Sequence, residues 1–75
     1  MRNIPSSALA VTPSDTANLE AESVIYVGGD GNVAIVTSDG DTVTFVGLSA
    51  GDILPVACTR VMSTNTTATN LVAIW

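Results

Sequence analysis

The chain has no histidine, no lysine, one cysteine (Cys58) and three aromatic residues, Tyr26, Phe45 and Trp75. Each shortage removes a class of function. Without histidine or lysine, a serine, threonine or cysteine nucleophile lacks its usual base, so an enzyme is not expected. One thiol and no imidazole are too few ligands for a structural zinc site, and a lone cysteine cannot close an intrachain disulfide. Arg2 and Arg60 face seven carboxylates, a formal net charge of −5. Phosphate neutralisation requires clustered cations, so nucleic acid and anionic membrane surfaces are excluded as partners. No stretch approaches the roughly 20 apolar residues of a membrane span, and the segment from Met1 to Pro5 has no signal-peptide core. Synthesis and retention in a cytosolic-type compartment are expected.

What remains is short and apolar. The 75 residues are 47% hydrophobic and only 12% charged. A domain of this size buries too little surface for comfort, and small domains recruit disulfides, metals or partner subunits. The first two supports are gone, so the sequence predicts a homo-oligomer whose surface is partly covered by protein.

Runs rich in Val, Ile and Thr predict six strands, Ala8–Thr12, Val24–Val27, Val33–Thr37, Thr42–Val46, Ile53–Met62 and Leu71–Trp75, because branched side chains suit a pleated surface. The expected class is all-β, a small antiparallel β-sandwich or barrel-like domain. Gly28-Gly29-Asp30-Gly31-Asn32 and Ser38-Asp39-Gly40-Asp41 read as hairpin turns, which together predict a three-stranded meander. Within it both sheet faces carry apolar side chains, as in a sandwich or at an interface. Pro55 lacks an amide donor and predicts an edge position or a bulge. Thr12-Pro13-Ser14-Asp15 predicts one short helical turn, with Thr12 as cap. Residues 1–7 read as a flexible N-terminal arm before a single β domain, 8–75.

Few residues invite chemistry. Cys58 lies in an apolar strand and reads as a buried, inert thiol. Asp39 and Asp41 flank a glycine, and a turn explains them better than calcium, which needs six or more oxygens. Glu20 and Glu22 read as a solvated face. The glycines at 28, 29 and 31 precede a strand, not a helix, so no helix N-terminus is aimed at a phosphate. No catalytic, cofactor or metal residues are assigned. Candidate interface residues are Ile4 and Pro5 in the arm, Pro55, Arg60 and Trp75, the last two being favoured anchor types. The hydroxyl- and amide-rich run Ser63–Asn70 suggests a second reading, a carbohydrate- or receptor-binding module, although three aromatics offer few platforms for a sugar.

The segments Val11-Thr12-Pro13-Ser14-Asp15-Thr16, Tyr26-Val27-Gly28, Thr42-Val43-Thr44-Phe45, Gly51-Asp52-Ile53-Leu54-Pro55-Val56 and Val72-Ala73-Ile74-Trp75 are together similar to the head spike base and head decoration proteins of tailed bacteriophages and gene transfer agents. The resemblance runs from Ala8 to Trp75. It implies a virion structural protein on the capsid exterior, made in the host bacterial cytoplasm and bound to the major capsid protein. On that resemblance the protein is a homotrimeric cement protein or a homopentameric spike base, the latter able to hold a head fibre.

Overall fold

The computed structural model describes residues 4–75. All six expected strands form: β1 (Ala8–Ala10), β2 (Ser23–Tyr26), β3 (Gly31–Thr37), β4 (Thr42–Leu48), β5 (Ile53–Val61) and β6 (Val72–Ile74). They make one antiparallel sheet in the order β1-β6-β2-β5-β3-β4. The domain is therefore all-β. Of the expected arm, the first three residues lie outside the described ones. Ser6 and Ser7 both donate their N–H to the Trp75 main-chain oxygen at 2.8 Å, and Trp75 N–H returns to Ser7 O at 2.9 Å, so the β1–β6 ladder runs on past Ala8.

The expected meander is only half present. Its β3–β4 half is a hairpin in which Gly40 takes φ 95° and donates to Thr37 O at 2.9 Å. β2, however, pairs with β5 and β6, and β5 lies between β2 and β3. The reason lies in the Gly28–Asn32 segment, which is a landing strip rather than a turn. Gly29 and Thr69 form a bridge, Gly29 N–H to Thr69 O at 2.8 Å. Asn32 O accepts from Thr67 and Ala68 at 2.8 and 3.0 Å. The Thr67 and Thr66 hydroxyls accept from Asn32 and Ala34 N–H at 2.9 and 3.0 Å. Polar backbone groups must be paired once buried, and Gly29, Asn32 and Ala34 find partners in residues 66–69 rather than in β2.

Such close approach requires glycine. A Cβ on Gly28 would stand 2.5 Å from Asn70 O, and one on Gly31 would stand 2.5 Å from Ala68 N, at a φ of +150° that side chains rarely adopt.

One sheet has no facing layer, so loops cover its apolar side. Ile25, Val27, Val33, Ile35, Leu54, Cys58, Val61 and Ala73 form the core with Ala68 and Leu71 from the 62–71 loop, and Val11 and Leu19 from the 11–22 segment pack against it. That second segment was expected to hold a helical turn. No helix occurs among the described residues. Ser14, not Thr12, does the capping, its Oγ accepting from Thr16 and Ala17 N–H at 3.2 and 3.1 Å. The chain then stays extended because better partners lie beside it: Ser14 N–H donates to Val61 O and Leu19 N–H to Thr59 O, at 2.9 and 2.8 Å.

Pro55 sits in a central strand, yet at a bulge. The β2–β5 register shifts between Leu54 and Cys58, and the β3 ladder engages β5 only from Cys58 to Val61. The missing N–H is thus placed where pairing is already broken.

Gly31→Ala is expected to destabilise the protein by roughly 1–3 kcal/mol through strain and collision with Ala68, whereas Gly40→Ala, with open space around it, should cost only about 1 kcal/mol for its φ. Urea unfolding of the two variants checks the ranking.

Candidate binding surfaces

Three of the five candidate interface residues come together. Ile4, Pro5 and Trp75 border an open groove of about 690 Å³ completed by Glu22, Val24 and Ile74. Ile4 is 76% exposed, while Trp75 is half-buried, part of it packed on the core. Pro55 is exposed on β5. Arg60 is separate from both: its Nε donates to Asn18 Oδ1 at 2.9 Å and its Nη1 to Asp15 O at 3.2 Å, fastening the 14–19 segment to β5.

The other side of Trp75 faces a smaller apolar cavity of about 250 Å³, lined by Leu9, Val11, Ala17 and Leu19 among others. Small-molecule pockets begin near ~300 Å³ and carry convergent polar groups. This one offers mostly aliphatic carbon.

Sequence reasoning missed several exposed apolar positions on the strands. β4 is an edge strand, and Val46 on it is 75% exposed and Val43 41%. Tyr26 and Ile53 face each other across β2 and β5 and are both exposed, Ile53 at 55%. The signal was the pair of apolar faces read in the 33–46 region, whose consequence for a terminal strand went undrawn.

The carboxylates are mostly occupied as local braces. Asp30 accepts from Ala50 N–H and Asp52 from Ser49 N–H, each at 2.8 Å. Asp41 closes the β3–β4 turn with Thr37. Asp15, expected to serve a helical turn, instead receives Ser63 and Thr64 N–H at 3.0 Å and the Thr64 hydroxyl at 2.6 Å. The Thr64 hydroxyl, helped by the two amides, holds the Asp15 carboxyl below its usual 3.8. Among the described residues no three His, Cys, Asp or Glu side chains come together as a metal site would require.

Three hydroxyls of the Ser63–Asn70 run are likewise engaged within the chain. Thr64, Thr66 and Thr67 each spend their hydroxyl on Asp15 or on the β3 backbone. These hydroxyls belong to the run that motivated the carbohydrate reading, in which Ser63, Thr64, Asn65, Thr67, Thr69 and Asn70 remain exposed. Cys58 is fully buried, and desolvation pushes its thiol from 9.0 up to about 11.

No protein-family model and no curated protein sequence matches the chain. Among solved structures it is similar to a chain in the capsid of a native gene transfer agent (GTA) particle computed with C5 symmetry. The TM-score is 0.82 at 35% identity, covering 95% of this chain and 83% of that one.

Two solution measurements follow from these environments. A folded pKa held below 3.8 means that Asp15 contributes stability above that value and loses the contribution as pH falls through the lowered one. Asp15→Asn should therefore be less stable than the parent at neutral pH and show a flatter loss of stability on acidification below pH 3.8, read by thermal unfolding across that range. Cys58 should resist maleimide at mildly alkaline pH in the native protein and react at once in denaturant, since only the thiolate attacks; mass spectrometry of the adduct decides it.

Proposed function

Taking as premise that this chain belongs to the family of the gene transfer agent capsid chain it matches, we propose that it is a virion structural protein on the outer surface of a phage-type head. It binds the major capsid protein as a homo-oligomeric decoration protein, either a trimeric cement or a pentameric spike base on which a head fibre can stand. The observation that carries this reading is 35% identity over 95% of the chain to a protein of a capsid particle.

The geometry agrees with a role built on surface rather than chemistry. The thiol is buried and the Asp15, Asp30, Asp41 and Asp52 carboxylates brace loops. Exposed apolar side chains and an open groove beside Trp75 provide area to bury against a partner. Of the expected arm, the part before Ser6 reaches the neighbour, with Ile4, Pro5 and Trp75 as its anchor. An outward acidic surface keeps decorated particles apart.

Purified protein should co-sediment with heads that lack it and appear by cryo-electron microscopy as density outside the shell. Density inside the shell, or no binding, would sink the reading. Deleting residues 1–5 should weaken that binding several-fold while the circular dichroism of the β domain stays unchanged. Native mass spectrometry distinguishes trimer from pentamer.

A further inference from the structure

The two ends of the sheet are open, and they match. β4 and β1 are the terminal strands in the order β1-β6-β2-β5-β3-β4. On β4, Thr37 N–H donates to Asp41 O. In the alternation of an antiparallel ladder this directs Val43 and Phe45 inward to β3 and turns the N–H and C=O of Thr42 and Thr44 outward. On β1, Ser7 and Trp75 exchange bonds and Val11 N–H donates to Leu71 O. The same alternation leaves the N–H and C=O of Ala8 and Ala10 outward. Each edge therefore presents the same unit, two residues spaced i and i+2 with four unpaired backbone groups.

Neither edge carries a blocking charge or proline. A long apolar edge strand is normally blunted by lysine, proline or an inward charge. Thr42–Leu48 and Ser6–Ala10 contain none of these, although β1 is only three residues long and the β3–β4 register shifts beyond Phe45, and β4 exposes Val43 and Val46. Charge decides what can approach. The chain carries −5 overall, and another copy docking on the groove beside Trp75 would bring Glu22 of each copy into like-charge surroundings. The two edge segments are free of charged residues, so there two copies can meet without that repulsion.

We propose that β4 of one copy pairs with β1 of the next, head to tail, continuing the sheet from protomer to protomer. Because the two surfaces differ, the interface is heterologous, and a finite assembly built on it is a ring. This rests on the reading above for its setting, since it supplies the self-association that role requires, but it is measured without capsids.

Thr44→Pro removes an outward N–H from β4 and no bond to β3, and Ala10→Pro does the same on β1 without touching the ladder to β6. Each variant alone should run as a monomer by native mass spectrometry where the parent is a closed ring. Mixed, they should give a one-to-one dimer that grows no further, because each retains one competent edge. Val46→Glu, at a position 75% exposed, is the second blocker of β4; it tests the interface should proline perturb the strand, and it should lower ring formation at least tenfold with the circular dichroism unchanged. A parent that stays monomeric at high micromolar concentration overturns the proposal. So does a Thr44→Pro or Val46→Glu protein that still forms the parent ring. If such a monomeric parent nevertheless decorates heads, the capsid role stands and the edges belong to the capsid protein.

Discussion

Everything in this domain depends on one close approach, the 66–70 segment lying on the glycine strip at 28–31. Two stretches of backbone come within van der Waals reach only because three of the strip's residues have no Cβ. The threonine hydroxyls then do what a neighbouring strand would have done, accepting the amides of Asn32 and Ala34. Once that contact is made, the chain emerging from it is delivered as β6 into the gap between β1 and β2. The topology follows from a local steric permission.

Strand identity was legible because it is local. Val33-Ala34-Ile35-Val36 and Thr42-Val43-Thr44-Phe45 favour extended backbone whatever lies beside them, and Asp39-Gly40 declares its hairpin without help from the rest of the chain. Pairing was not legible to the same degree. A glycine cluster has two physical uses, positive φ in a turn and room for a neighbouring backbone, and sequence spacing cannot say which is in force at Gly28–Gly31. Likewise Ser14-Asp15 carries a true capping hydroxyl, but the helix it would start competes with carbonyl partners on Val61 and Thr59, 40 or more residues from the amides they accept. Tertiary hydrogen bonds outweighed a local signal in both places.

The candidate surface was legible by chemistry and not by position. Ile4, Pro5 and Trp75 were chosen separately and meet at one groove, since β1 and β6 bring the two ends of the described chain side by side. Arg60 was chosen as an anchor and is engaged within the chain, because a lone guanidinium beside an extended segment finds its carbonyl and amide oxygens there. Val46 was marked only as part of a doubly apolar strand. Its exposure depends on β4 being terminal, which is a property of the sheet order.

That order also governs how the molecule comes into being during translation. β1 emerges from the ribosome first, yet its sole partner is β6, so Ala8 waits for Ile74. β2 likewise waits for β5 and β6. Contacts this distant in sequence slow folding, and until β5 is made only the β3–β4 hairpin has its partner available. A chain stalled or clipped before Val72 would keep β1 unpaired and one side of β2 bare, exposing new sticky edges. Only a chain that carries β6 can pair both β1 and the second side of β2.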